Sequence, residues 1–532
     1  MTARTSAGKS ALTQRADGHP RRWFIHGAVV AGLLMVIIDT TILNVALTTL
    51  ADPVSGLGAT QGQLQWATNG YVLVFGGLLF TSGVLGDRIG RRKLLIGGIV
   101  VFGAGSLVAS LAESPATLIA ARALMGAGGA AIMPQTLAII TNVFGDRERG
   151  RAIALWGAAI GTSVAIGPVV GGFLLEHFWW GSIFMVNIPV ALVALAAVAL
   201  VVPELKGSPG GFDPLGVALS FVGLVAMIWG IVHGGETSQW LSPAVVTALA
   251  VGIVTLALFV RHEMRTRFPA FDVRLFRDSR LSAAVGAVSL AFFAVGGVYF
   301  FISLYLQSVR GLSPLHAGLM MLPFALAQLF LAPRSVALAQ RFGTRAVVAG
   351  GLGMTLAAVL LMQAVDAGTS PWLLIVIFLL WGGGMANVVP PATSSIMSVL
   401  SPAKAGAGAA LNSTAQEVSI ALGVAVLGSL VSTVYRSGIT DALGPLPHSA
   451  RAGAAESITG ALAETEKLDP SAAAALAGQA QAAFTDAMHL AAGVAVVALG
   501  LGMAATLKWM PGRTPHAAPD NNTTAQPAEH NA

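Results

Sequence analysis

Residues Gly126–Phe144, GAGGAAIMPQTLAIITNVF, recur without gaps as Gly382–Leu400, GGGMANVVPPATSSIMSVL. Each copy opens on a glycine cluster, meets a proline (Pro134, Pro390), and passes through a polar break into a further apolar run. At the same offset Gly167 falls on Gly423 and Gly172 on Gly428. A second echo pairs GVLGDRIGRR (Gly83–Arg92) with VALAQRFGTR (Val336–Arg345). Both echoes lie in or beside basic loops on one side of the apolar runs, so the two copies point the same way. Two parallel six-helix halves satisfy this pattern, with a site expected where they meet at the membrane midplane.

The composition places those halves in lipid. Of 532 residues 55% are hydrophobic and 10% charged, with a mean hydropathy of +0.76; a soluble chain carries about 25% charged residues. Apolar runs of roughly 18–25 residues follow one another along the chain, each long enough to cross a ~30 Å hydrocarbon layer as a helix. About fourteen such spans can be read. The expected fold class is therefore an all-α polytopic membrane protein, two six-helix bundles with two helices inserted between them. The ~10-residue alternating segments of a β-barrel are not seen. The expected organisation is a tail over 1–22, a first bundle over 23–205, the inserted pair over 206–262 and a linker over 263–281. A second bundle follows over 282–510, with a long loop at 435–485 whose composition suits either disorder or an amphipathic hairpin, and then a tail over 511–532 of disordered composition.

Basic residues fall on alternate loops. One side holds Arg4 to Arg22, Arg88-Arg91-Arg92-Lys93, Arg147-Arg149-Arg151, Lys206, Arg261 to Arg280, Arg334-Arg341-Arg345, Lys404 and Lys508 with Arg513. The other holds Arg310, Arg436, Arg451 and Lys467. The positive-inside rule then makes both termini cytoplasmic, and an even number of spans follows. The formal charge of +6 and the pI near 10.0 are thus a topology signal and not a nucleic-acid footprint. The chain has no cysteine, which excludes disulfides and thiolate metal centres. The hydrophilic start lacks the short apolar core and small-residue cleavage site of a signal peptide, and reads as a retained tail.

Five stretches, in order, resemble the major facilitator superfamily, and within it the fourteen-span drug:proton antiporters of the EmrB/QacA type. IDTTILNVAL (Ile38–Leu47) is similar to the span-one motif of drug exporters, and LQWATNGYVL (Leu64–Leu73) to the opening of span two. GVLGDRIGRRKLL (Gly83–Leu95) resembles the signature loop between spans two and three. LIAARALMGAGGAA (Leu118–Ala131) resembles the span-four motif, and SVAIGPVVGG (Ser163–Gly172) the antiporter motif of span five. Departures are Thr48 in place of a usual proline and Met125 in place of a frequent glutamine. WWGSIFMVNIP (Trp179–Pro189) lacks the usual arginine and second tryptophan. The second loop copy carries Gln340 where the first has an acid, so the resemblance implies a charged latch in the first copy alone.

Three charges at membrane depth are the candidates for proton coupling: Asp39 in span one, Arg122 in span four and Glu417 in span thirteen. Intramembrane charges cost at least ~2.5 kcal/mol on insertion scales and so usually face a cavity and work. An acid whose access to water alternates between the two faces can load and release a proton. The bland alternatives are hydrogen-bonded packing for the acids and a carbonyl tether for Arg122. Gly126 and Gly129 share the Arg122 face and allow close helix approach. By the resemblance, Gly83, Asp87, Arg88, Gly90 and Arg91 form a conformational latch, with Gly86 and Gly90 permitting turns and Asp87 suited to a helix N-terminus. Gly167, Pro168, Gly171 and Gly172 form the motif associated with export, where Pro168 bends span five. Trp66 and Tyr71 read first as interfacial anchors, then as substrate contacts. Asn44, Asn387 and Gln416 complete a weaker set of cavity candidates.

No metal-ligand cluster is visible, and no P-loop: GPVVGG lacks the GK[ST] ending, which argues against ATP coupling. No nucleophile–base constellation points to an enzyme. The expected activity is proton-coupled antiport that exports small hydrophobic or cationic compounds, without a cofactor, from the cell membrane. The expected partners are protons, a small-molecule substrate and lipid, with the monomer as the working unit. Alternatives are a dedicated exporter of one metabolite or siderophore, and a non-transporting membrane sensor.

Overall fold

The computed structural model describes residues 18–51, 56–59, 61–207, 213–237, 239–266, 269, 273–401, 404–444, 451, 453–455, 457–465, 467–510 and 512. Among them fourteen helices are long and apolar enough to cross a membrane. The first six are α1 (Arg22–Ala51), α2 (Gln61–Ile89), α3 (Arg91–Ser110), α4 (Pro115–Val143), α5 (Asp146–His177) and α6 (Asn187–Val201), the last preceded by the single turn Ser182–Met185. The inserted pair is α7 (Pro214–Thr237) and α8 (Pro243–Glu263). The last six are α9 (Ser279–Leu304), α10 (Leu322–Phe342), α11 (Thr344–Leu361), α12 (Pro371–Val399), α13 (Ala405–Ile439) and α14 (Pro470–Trp509).

Many of these helices are punctuated in the same way. A Ser or Asp stands before a proline whose missing N–H costs nothing at the first helical position. Ser114 accepts from Thr117 N at the start of α4, Ser242 from Val245 N at α8, and Asp469 from Ala472 N at α14. Asp213 does the same for α7, accepting from Gly216 N at 2.8 Å.

Among the described residues two large apolar cores form, one centred in each half. The first joins Ile25, Leu33, Leu79, Phe102, Leu137, Trp156 and Val198; the second joins Val288, Phe301, Phe324, Trp381, Leu427 and Leu499. The sequence repeat has a spatial counterpart. Gly90 and Gly343 take left-handed φ values of 117° and 89° at equivalent turns. A Cβ at Gly126 would meet Tyr71 O at 2.6 Å, and one at Gly382 would meet Phe324 O, so each half crosses its second and fourth helices at one backbone contact. Gly167 rests on Thr41 and Ile38 of α1, as Gly423 rests on Phe293 of α9.

The halves meet along two seams. One is α5 against α10, where Gly150 receives Val336 and Gly161 receives Gln328. The other is α2 against α13, where Gly83 faces Ala410 and Gly406. The inserted α7 lies across this second seam. Gly76 and Gly77 of α2 take Ile228 and Val225, while Gly235 packs on Ala425 of α13 and Trp240 Nε1 donates to Ser429 Oγ at 3.2 Å. α8 packs on α7 and turns Val246, Ile253 and Leu258 outward, an exposed apolar face that requires lipid.

Several expectations change. α13 and α14 extend well into the segment 435–485, which also holds the helix Ile458–Thr465; Tyr435 Oη donates to Ala454 O at 3.1 Å. The described residues of that segment are therefore largely helical, and its alanine-rich sequence carries α14 beyond the apolar run. Gly86 sits inside α2, and only Gly90 makes a turn. The tail 1–17 and residues 513–532 lie outside the described residues.

Candidate functional site

Arg122 and Gly126 stand one turn apart on α4, and their shared face decides the geometry. With no side chain at Gly126, the α2 backbone comes close enough to slide the Tyr71 ring under Arg122, whose guanidinium carbon lies 4.3 Å from the ring centroid. Such a contact is worth ~2 kcal/mol when desolvated. Arg122 Nε donates to Ala67 O at 3.3 Å, and Nη1 makes a weak contact of 3.9 Å with Met125 Sδ. The same Nη1 forms an ion pair with Asp39 Oδ2 across α1 and α4. Asp39 is 2% and Arg122 1% exposed, so two charges 83 positions apart are paired out of solvent.

The other oxygen of Asp39 is held from α6. Asn187 Nδ2 donates to Asp39 Oδ1 at 3.0 Å and to Ser106 Oγ of α3 at 3.1 Å. Four helices thus converge on one carboxylate. Asn187 was not among the sequence candidates. A lone amide at the opening of the otherwise apolar α6 was the available signal.

The motif on α5 presents two faces. Gly167 and Gly171 pack on Thr41 and Ile42, a half-turn beyond Asp39. Pro168 and Gly172 face Gly318 and Leu315, in the segment that leads into α10. One short stretch therefore touches the acid-bearing helix of its own half and the opposite half.

Tyr71 is not an interfacial anchor. It is 1% exposed, stacks on Phe75 with centroids 5.5 Å apart, and its hydroxyl has no hydrogen-bond partner among the described residues. Leaving a buried hydroxyl unpartnered costs about 1–3 kcal/mol. Trp66, 49% exposed, stays at the surface. Glu417 comes from α13 and is half-buried, level with Phe75 and Gly76 by the register that sets Asp87 against Gly406 and Gly83 against Ala410. It lies within electrostatic reach of Tyr71. Beside it Gln416 is 2% exposed, and its Nε2 is without a partner among the described residues. Asn387 Nδ2 turns back to its own helix, donating to Gly383 O at 2.8 Å. The side chain of Asn44 lies outside the described residues.

At the end of the bundle where α1 begins, Asp87 closes the α2–α13 seam. It lies in the last turn of α2 and not in a loop. Its Oδ1 accepts from Arg91 Nη2 at 2.6 Å, from Arg91 Nε at 2.9 Å and from Gly406 N at 3.1 Å, and its Oδ2 from Ala407 N at 3.2 Å. The two amides belong to the first turn of α13, where free N–H groups and the helix dipole favour an anion. Gly83 and the AGAGAA start of α13 leave room for this approach. Arg91 is fully buried and Arg88 exposed. Gly90 turns the chain with its α-carbon against Glu204. In the second half Gln340 is exposed, and Val336 fills the place of Gly83 against Gly150.

The sequence model of the Major Facilitator Superfamily matches residues 29–424. The chain is 36% identical to the multidrug efflux pump LfrA of Mycolicibacterium smegmatis, over 91% of this chain and 95% of that protein. It is 33% identical to the methyl viologen resistance protein SmvA of Salmonella typhimurium, over 91% and 98%. It is 32% identical to the tetracenomycin C resistance and export protein of Streptomyces glaucescens, over 78% and 76%. Among solved structures it resembles the human organic anion transporter MFSD10, with a TM-score of 0.59 at 17% identity, covering 90% of this chain and 100% of that one.

Proposed function

The chain belongs to the Major Facilitator Superfamily, and from that premise we propose that it is a proton-coupled antiporter exporting small hydrophobic or cationic compounds by alternating access. The relatives named for multidrug efflux, methyl viologen resistance and tetracenomycin C export support this substrate class. The observation that carries the coupling is the buried Asp39–Arg122 ion pair, built from four helices of one half.

In this reading the termini face the cytoplasm, as the basic loops require, and Asp87 is the latch that shuts that side. A proton arriving from outside neutralises Asp39 and removes its attraction for Arg122. Arg122 keeps the Tyr71 ring and Ala67 O, so it is not stranded in an apolar space. α1, freed from α4, then moves with α5 through the Gly167 and Gly171 contacts. Pro168 and Gly172 pass that motion to the opposite half, Asp87 leaves the α13 amides, and the cavity opens inward. Substrate binding near Glu417 and proton release from Asp39 return the protein outward. Each proton entering down a 100 mV potential contributes about 2.3 kcal/mol, before any pH-gradient term. The chain works as a monomer in a single membrane, without a cofactor.

Transport in inverted vesicles with an imposed pH gradient tests this reading. A panel of methyl viologen, ethidium and tetraphenylphosphonium is expected to include compounds whose addition evokes proton release, lost in Asp39→Asn. Uptake that proceeds equally without a proton gradient would sink it.

A further inference from the structure

Tyr71 combines features that packing alone does not account for. Its hydroxyl is buried and unpartnered among the described residues, on a ring held between Arg122 and Phe75. The repeat supplies an internal control. The equivalent crossing in the second half, where Gly382 meets its partner helix, is filled by Phe324. Phe324 packs edge-on against Trp381 at 5.3 Å and makes the same backbone contact without a hydroxyl. The helix crossing therefore needs an aromatic ring and not its oxygen. The second half also carries Phe378 at the place of Arg122, so oxygen and guanidinium occur together or not at all.

The same symmetry places Glu417 against Phe75, the ring on which Tyr71 stacks. On the α5–α10 seam Gln328 lies over Gly161; the equivalent pair on the α2–α13 seam is Phe75 and Glu417. Tyr71 stacks on Phe75 and is reached electrostatically by Asp39, Arg122 and Glu417, one acid from each half. Its oxygen is also 3.0 Å from the place a Cβ would occupy on Gly129, whose bare backbone leaves the hydroxyl room to turn.

We propose that the Tyr71 hydroxyl is the proton relay between Glu417 of the second half and the Asp39–Arg122 pair of the first. This rests on the antiport reading above. In the step, the Glu417 carboxyl gives its proton to the Tyr71 oxygen as the Tyr71 O–H proton passes to the Asp39 carboxylate, directly or through water. One O–H bond breaks and one forms at Tyr71, which ends unchanged. Glu417 becomes an anion able to hold a cation, and Asp39 becomes neutral and releases Arg122. A proton that displaces the cation from Glu417 on the outer side is thus the one that reaches Asp39, which links substrate departure to proton entry.

Tyr71→Phe removes the oxygen and keeps both the Phe75 stacking and the ring under Arg122. Wild-type and variant vesicles are compared with whichever member of the cation panel evokes proton release. Thermal unfolding of the variant should match wild type or improve. Evoked proton release and uphill transport should fall by about tenfold or more. Full release in the variant overturns the relay alone, and a variant that fails to fold overturns it too, by showing a structural role for the oxygen. Absence of release from wild type with every compound overturns the antiport reading and the relay with it.

Discussion

Asn187 holds Asp39 from the side opposite Arg122: its Nδ2 donates to Oδ1 at 3.0 Å while Arg122 takes Oδ2. The amide is itself fixed by Ser106 Oγ at 3.1 Å, so the carboxylate plane is set by α3, α4 and α6 together. Asn187→Leu removes a hydrogen bond to a charged group, worth about 1.5–3 kcal/mol. Substrate-evoked proton release is expected to slow by about tenfold, with membrane expression intact. Wild-type release in this variant would show that the amide only fills space.

The Asp39–Arg122 pair should behave as a unit. Removing one member of a buried pair leaves the other uncompensated, at a cost of about 3–5 kcal/mol. Arg122→Gln and Asp39→Asn are each expected to lower the unfolding temperature in detergent. The double variant should recover part of the stability and none of the coupling. Strictly additive losses would mean that the two side chains do not depend on each other.

Asp87 bonds both to Arg91 and to the first-turn amides of α13. Asp87→Asn keeps one acceptor and loses the charge, so turnover is expected to fall while substrate affinity holds. Gly83→Leu should be more severe, since Ala410 and the Gly406 carbonyl occupy the space a side chain needs. Stopped-flow turnover beside equilibrium binding separates the two effects. A loss confined to affinity would contradict a closing contact.

Glu417 is half-buried on α13, beside Gln416 and level with Phe75 and Gly76. Glu417→Gln is expected to lower proton-driven efflux of both classes, and to weaken binding of dications by about tenfold, a difference of about 1.4 kcal/mol, while binding of neutral hydrophobic compounds holds. A profile unchanged across both classes would reduce Glu417 to polar packing.

Much of this arrangement is legible in the chain itself. Hydropathy and the distribution of Lys and Arg yield the helices and their alternation, because lipid forces every backbone group into a helix and charge bias is written along the chain. The repeat yields two parallel halves, and the charges Asp39, Arg122 and Glu417 stand out because a greasy run exposes each of them. Helix ends were less legible. The alanine-rich start of α14 extends beyond the apolar run, since helix propensity and not hydrophobicity carries it.

The sequence by itself determined the membrane class, the family and the identity of the three intramembrane charges. Tertiary structure alone decided their partners. Asp39 meets Arg122 and Asn187 across long stretches of chain, Asp87 finds the amides of α13, and Tyr71 leaves the surface for the space beneath Arg122. The physical reason is that pairing depends on which backbones may approach. Glycines such as Gly83, Gly126 and Gly167 permit those approaches, and a glycine in a sequence does not say which helix will come near.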